Sequence, residues 1–231
     1  MRLVLLLSLS LLFLNCEDKQ SKKKKQTETT ETKVEKKKDS VVEEQREFPK
    51  LDSENVMDFF LEYDKKNKED KVRITTELGS IDILLFKDTK FHRSNFIFLT
   101  KQKYFNDTQF YRVINNFMVQ AGASDDKATM KKRFNIGKYL LPTDTDRGHK
   151  HDRGAISMPS SEIDNPYKLA SPYEFFIVQQ RGGSHFLDGD FTVFGKVIKG
   201  MDVIDKIAAV DTDEADWPLK NIFIKNVEII E

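Results

Sequence analysis

Short runs of alternating apolar and polar residues, separated by turn residues, fill the chain from Lys71 onward. Val72 and Ile74 lie in the first run, Gly79 marks a turn, and Ile81 opens the second run. Alternation with a period of two puts the apolar side chains on one face of a strand, so these two runs predict a β-hairpin. Further strands are predicted over residues 109–114, 117–120, 154–158, 174–179, 192–197 and 222–229.

Two helical segments interrupt the predicted strands. Ser94 opens the first, in which Phe96 and Leu99 are apolar, and the second covers residues 201–210. Residues 122–152 are polar and irregular, and they predict long loops. Many short strands with two helices favour a mainly β fold, a closed barrel that the helices cap at its ends.

The first 50 residues differ in composition from the rest of the chain. Residues 17–50 consist almost wholly of Lys, Glu, Thr, Gln, Ser and Asp, whereas nearly all of the 18 Phe lie beyond residue 46. A segment with so few apolar residues cannot offset the entropy lost on ordering. We therefore predict a disordered, charged linker over residues 16–50.

An amphipathic helix is predicted between the linker and the barrel, within residues 51–70. Ser53 is a suitable N-cap. The apolar residues that share one face of this helix are Val56, Phe59, Phe60 and Tyr63. A lone helix of this length needs a surface to pack on, and we expect it to lie on the main domain, residues 71–231. A helix that binds a partner or dimerises is the alternative.

The N-terminus has the pattern of an export signal. Arg2 is followed by an apolar run from Leu3 to Leu14, which is too short to span a bilayer and suits a signal peptide over residues 1–15. Cys16, the only cysteine, follows directly, as in bacterial lipoprotein signals in which this thiol is acylated. This interpretation places the protein in the cell envelope, lipid-anchored to a bacterial membrane on its periplasmic side or at the cell surface. The alternative is an ordinary secretory signal followed by a chance cysteine.

Charge and histidine content give little support to other classes of partner. Lys+Arg and Asp+Glu are both 38, so net charge does not indicate nucleic acid, and we expect a monomer. His149 and His151 alternate in a charged segment, a pattern more typical of solvated side chains than of metal ligands. We expect no metal and no cofactor.

The segment over residues 110–122 is the most informative. It reads F-Y-R-V-I-N-N-F-M-V-Q-A-G and places Arg112 among apolar residues of a predicted strand. An arginine is costly there unless its guanidinium finds acceptors, and a functional role is one reason to retain it. An edge-strand arginine that extends to water is the alternative, and the pattern alone does not decide between them.

This segment resembles the signature of the cyclophilins, a family of prolyl isomerases. Three further motifs follow in the family's order: G-A-I-S-M at residues 154–158, F-F-I at 175–177, and L-D-G at 187–189 followed by V-F-G-K-V at 193–197. The resemblance covers roughly residues 71–230. It implies a closed eight-stranded antiparallel barrel with two helices and a substrate groove on the outer face.

The resemblance also implies roles for particular residues. Arg112, Phe117 and Gln120 match catalytic positions, with Arg112 as the catalytic arginine and Gln120 supporting it. Positions matching the proline pocket and the substrate groove are Phe110, Met118, Pro159, Ser160, Glu174, Phe176, Phe186, Leu187 and Phe191. The implied substrates are proline-containing polypeptides.

Departures from the family pattern leave an alternative open. Glu174 stands where the family has Gln, and its carboxylate would pair with Arg112 or weaken the field that Arg112 presents. Pro159 and Ser160 replace the usual Ala-Asn. The sequence thus predicts a prolyl isomerase that assists the folding of exported or envelope proteins. The alternative that Glu174 favours is a non-catalytic, cyclophilin-like peptide-binding lipoprotein. A third hypothesis, a surface adhesin, is supported only by the predicted lipid anchor.

Overall fold

The structure is a computed structural model that describes residues 47–160 and 165–231. The signal peptide, Cys16 and nearly all of the predicted linker lie outside the described residues. The strands are β1 (Lys71–Thr76), β2 (Gly79–Leu85), β3 (Gln109–Ile114), β4 (Met118–Ala123), β5 (Ala155–Ser157), β6 (Phe175–Val178), β7 (Val193–Lys199) and β8 (Ile222–Ile229). The α-helices are α1 (Val56–Lys66), α2 (Lys90–Lys101), α3 (Lys127–Ile136) and α4 (Met201–Ala208).

The eight strands form a closed antiparallel barrel, which confirms the predicted fold. Neighbouring strands follow the order β1-β2-β7-β5-β6-β4-β3-β8, and β8 pairs again with β1. Alternation explains which side chains fill it: Val72 and Ile74 of β1 are buried, and they pair with Ile83 and Ile81 of β2. Because closure leaves no strand edge unpaired in the ring, the core is sealed by the sheet itself.

Aromatic side chains fill the interior of the barrel. Phe96 of α2 stacks on Phe105 with ring centroids 4.7 Å apart, and it meets Phe175 edge-on with centroids 5.5 Å apart. Phe110 is fully buried in the same cluster, 6.5 Å from Phe175. The prediction that Phe110 contacts substrate is therefore corrected: its position on β3 directs the side chain into the core, not towards the outer face.

The helix α1 packs on α2. Phe60 is buried and contacts Phe98 edge-on at 5.9 Å. Asp64 of α1 forms a buried ion pair with Arg93 of α2. The helix is preceded by Asn55, not by Ser53 as predicted, because Asp52 and Asn55 hydrogen-bond each other's backbone and delay the first helical turn.

The start of α2 and the presence of α3 also differ from the prediction. α2 begins at Lys90, four residues before Ser94, since polar residues of its first turn are buried by packing and by the ion pair of Arg93. The predicted loop over residues 122–152 contains α3. Asp126 caps α3 by accepting from the backbone N–H of Thr129 at 2.9 Å. Met130 and Phe134 of this helix are exposed and Ile136 is the only apolar residue that it buries, so it has no apolar face by which the sequence could have predicted it.

Among the described residues, no helix is both long enough and apolar enough to cross a bilayer.

Candidate active site

A hollow of about 210 Å³ lies on the outer face of the barrel. It is bordered by the outward-facing side chains of β3, β4 and β6 and by the segments that follow β5 and precede β7. Its lining residues are Arg112, Phe117, Met118, Gln120, Pro159, Ser160, Phe176, Leu187 and Phe191. The structure thus brings together nine residues from four separate segments of the sequence.

The floor of the hollow is apolar and packed separately from the barrel core. Met118 and Phe176 are buried in a second hydrophobic cluster, against which Phe117, Leu187 and Phe191 pack. Phe176 meets Phe191 edge-on, with ring centroids 5.9 Å apart. These side chains form a small, rigid, apolar surface that is suited to a compact ring without polar groups.

Arg112 stands at the rim of this surface. It lies on β3 opposite Gln120 of β4, and 45% of its side chain is exposed. Its Nε is 3.4 Å from Oδ2 of Asp216, whose side chain is 39% exposed. The guanidinium therefore meets its need for acceptors from water and one carboxylate while remaining beside the hollow.

Comparison with known proteins decides the family. The family model for cyclophilin type peptidyl-prolyl cis-trans isomerases matches residues 71–229. A peptidyl-prolyl cis-trans isomerase of Acinetobacter baylyi is 36% identical over 147 residues, covering 61% of this chain and 73% of that protein. The chain belongs to the cyclophilins. Its class of enzyme is therefore peptidyl-prolyl cis-trans isomerase.

Other relatives share the domain within different contexts. The peptidyl-prolyl cis-trans isomerase-like 2 protein of Rhizopus delemar is 38% identical over 169 residues, covering 72% of this chain, which spans only 30% of that relative's length. A cyclophilin of Cryptosporidium parvum, crystallised in the presence of the dipeptide Ala-Pro, superposes with a TM-score of 0.58 at 26% identity. That match covers 70% of this chain and 99% of the crystallised one.

Glu174 of this cyclophilin does not make the contact predicted for it. Its Oε2 accepts a hydrogen bond from the Tyr111 hydroxyl at 2.8 Å, and the carboxylate that pairs with Arg112 belongs to Asp216. Tyr111 in turn accepts a hydrogen bond from Nε2 of Gln120. Burial, followed by the charge of Glu174, raises the pKa of Tyr111 well above its ordinary value, so the phenol stays protonated.

The remaining predicted groove residues lie at the margin of the hollow. Phe186 is 69% exposed and stacks on Phe117 with centroids 5.5 Å apart, so it extends the apolar wall outward. The Pro159 carbonyl accepts from the Ser171 N–H at 2.8 Å, which fixes the path of the segment after β5. The Ser160 hydroxyl accepts from Asn165 at 2.9 Å.

His151 corrects a further expectation, because it is buried instead of solvated. Its Nδ1 lies 2.8 Å from Asp188, and its ring stacks on Phe176 with a centroid separation of 5.9 Å. Burial lowers the pKa of His151, although the hydrogen bond with Asp188 opposes this. His149 stacks on Phe86 at 4.0 Å. Within the described ranges, no group of three or more His, Cys, Asp or Glu is arranged to hold a metal ion.

Sequence reasoning missed two residues at the site. Asp216 contacts Arg112 from a turn 104 residues further along the chain, and it has a positive φ of 64° that its residue type alone does not indicate. Tyr111 is adjacent to Arg112 in the sequence, but only the geometry of β3 brings it to Gln120.

Proposed function

We propose that this cyclophilin accelerates rotation about X–Pro bonds in exported, proline-containing polypeptides, with Arg112 as the catalytic group. The main support for the proposal is the position of the Arg112 guanidinium at the rim of an apolar hollow. Met118 and Phe176 form the floor of this hollow. The hollow has room for a pyrrolidine ring and offers it no polar partner on its floor.

The chemistry follows from the prolyl amide. Rotation is slow because the nitrogen lone pair is shared with the carbonyl, which gives a barrier of about 18–20 kcal/mol. At the twisted transition state this sharing is lost and the lone pair is localised on nitrogen. A guanidinium donor directed at that nitrogen stabilises the transition state more than the planar ground state, which is the requirement for catalysis.

The other residues seat the substrate and orient the arginine. Phe117, Leu187 and Phe191 form the walls that hold the proline ring and exclude water. Gln120 lies opposite Arg112 in the strand register, where its amide is suited to support the guanidinium and the substrate backbone. No covalent intermediate, metal or general base enters this scheme.

The test is a prolyl-isomerisation assay on residues 46–231, the compact unit that contains the whole described core. Arg112→Ala is expected to lower kcat/KM about 10²-fold, as for the loss of one preorganised donor. Arg112→Lys keeps the charge but loses the fork and is expected to recover only part of this loss. The matched control is Arg147→Ala, which also removes a half-exposed arginine paired with a carboxylate, Asp144.

The same assay distinguishes the proposal from the non-catalytic alternative. A binding module predicts that wild-type and Arg112→Ala proteins have the same rate as the uncatalysed peptide. Binding of an Ala-Pro peptide without acceleration by the wild type would favour that alternative and refute the proposal.

Export and lipid anchoring belong to the same proposal and rest on the sequence alone. The apolar run from Leu3 to Leu14 and Cys16 directly after it support acylation and attachment to a bacterial membrane. Metabolic labelling with palmitate is expected to mark the wild type and not Cys16→Ser. Equal labelling of both would refute the anchor, and it would leave the isomerase proposal unaffected.

A further inference from the structure

Three side chains beside the hollow form a hydrogen-bonded chain that runs from Glu174 through Tyr111 to Gln120. We propose that Tyr111 and Glu174 are positioning residues that fix the orientation of the Gln120 amide. The proposal rests on the proposed function, because it gives Gln120 its role next to Arg112.

The backbone of β3 brings Tyr111 to this place. Phe110 pairs with Ala121 and Arg112 pairs with Gln120, so Tyr111 has no direct partner on β4 and forms a bulge-like irregularity; an opposite shift between Gln109 and Phe110 keeps the overall register. A bulge changes the direction of the side chain that it carries. Here it places the phenol within hydrogen-bonding reach of Gln120 and of the carboxylate at the start of β6.

The number of available protons determines which group donates and which accepts in each of these hydrogen bonds. An ionised Glu174 only accepts, so the single hydroxyl proton of Tyr111 must be donated to it. The Tyr111 oxygen then serves as the acceptor for Gln120, and only the nitrogen end of the amide can donate to it. Side-chain oxygen and nitrogen of a glutamine are otherwise exchangeable by a half-turn, and this chain of bonds removes that freedom.

The phenol itself is held in place. Trp217 packs against the Tyr111 ring with centroids 5.8 Å apart, and Tyr111 is partly buried. Because burial and the neighbouring Glu174 raise the pKa of Tyr111, the hydroxyl remains a donor throughout the physiological pH range. The Gln120 nitrogen is thus engaged, and its carbonyl oxygen is left as the acceptor available to Arg112 or to a substrate N–H.

A glutamine at position 174 would not set this direction. Its amide both donates and accepts, so Tyr111 could accept from it and the Gln120 amide could turn over. The glutamate of this chain is therefore explained without any contact to Arg112. It is a fixed acceptor at the far end of the chain of bonds.

The first test is a double-mutant cycle in the full-length chain, purified in detergent, with a proline-containing peptide as substrate. Tyr111→Phe is expected to lower kcat/KM about 3–10-fold, the range for losing one hydrogen bond. In a Gln120→Ala background the same change is expected to have no further effect. Equal effects of Tyr111→Phe in both backgrounds would overturn the proposal. Tyr139→Phe is the matched control, because it removes a buried hydroxyl that bonds Asn95 away from the hollow.

The second test does not depend on activity. In protein labelled with ¹⁵N-glutamine, the side-chain amide signals of Gln120 are expected to shift in both Tyr111→Phe and Glu174→Gln and to stay in place in Tyr139→Phe. Unchanged Gln120 signals in the first two variants would overturn the proposal even for an active enzyme. Shifted signals in a protein without isomerase activity would uphold the orientation of Gln120 and refute only the proposed function.

Discussion

Removing the carboxylate of Asp64 is expected to destabilise the whole domain, although Asp64 lies on a helix that precedes the barrel. Its partner Arg93 has a side chain that is 2% exposed. The Nη1 of Arg93 donates to the carbonyl oxygens of Asn67 at 3.2 Å and Glu69 at 2.9 Å, and Nη2 donates to Asp64. Burial raises the pKa of Asp64, but hydrogen bonds from Lys68 and Arg93 outweigh it, and the pKa lies below its ordinary value.

The magnitude follows from the charge that would be left behind. Asp64→Ala leaves a buried guanidinium with two carbonyl acceptors and no anion, and breaking a buried pair in this way costs about 3–5 kcal/mol. The two carbonyl contacts place the expected loss at the lower end, about 3 kcal/mol. For a domain of this size each kcal/mol lowers Tm by about 2–4 °C, so a decrease of about 6–12 °C is expected.

The assay is thermal unfolding followed by circular dichroism, with urea unfolding to obtain the free energy. Glu62→Ala is the matched control, because it removes an acid from the same helix whose ion pair with Lys65 is 65–66% exposed on both sides. That pair is worth less than about 1 kcal/mol. In the Arg93→Met background, Asp64→Ala is expected to cost little. Equal Tm values for Asp64→Ala and Glu62→Ala would refute the reasoning.

Three further outcomes are expected. His92 is fully buried and its pKa is lowered from 6.5 to about 3, so the unfolded chain takes up a proton that the folded chain excludes. The free energy of unfolding is therefore expected to fall by about 1.4 kcal/mol per pH unit as the pH decreases from 6.5 towards 3. Urea unfolding at several pH values measures this slope, and His92→Phe is expected to flatten it. Gly122→Ala places a Cβ 2.4 Å from the Tyr173 carbonyl oxygen at a φ of +103°, and it is expected to cost about 1–3 kcal/mol more than Gly148→Ala, which also has positive φ but open space. Asp216→Asn is expected to raise kcat/KM by up to about fivefold in the peptide assay, because a half-exposed pair worth below about 1 kcal/mol no longer competes for Arg112; a decrease would show that Asp216 positions the arginine instead.

The fold was accessible to sequence reasoning wherever burial follows strand periodicity. The hairpin of β1 and β2 and the strand β8 were predicted because their inward faces are largely apolar. α3 was not, since Ile136 is the only apolar residue that it buries and the helix has no apolar face. The start of α2 was misplaced because His92 and Arg93, which are polar, are buried there.

The site divides in the same way. Nine of the twelve residues carried over from the family motifs line one hollow, because adjacent strands of the barrel and the segments between them present these nine on the same outer face. The polar contacts around these residues could not be predicted from the sequence. Asp216 reaches Arg112 from a distant turn, and the link between Tyr111 and Glu174 depends on a local irregularity in the pairing of β3 with β4, which leaves no periodic pattern in the sequence.

The position of α1 has a practical consequence for anyone who isolates this enzyme. The family match begins at residue 71, but the segment before it supplies Phe60 to the aromatic cluster, and Leu51 bonds the backbone of Ile136 at 2.8 Å. A recombinant fragment that begins at residue 71 would expose Phe98 to solvent and leave the buried guanidinium of Arg93 without the carboxylate of Asp64. We therefore expect the smallest fragment that retains the fold to start upstream of Leu51, some twenty residues before the family match begins.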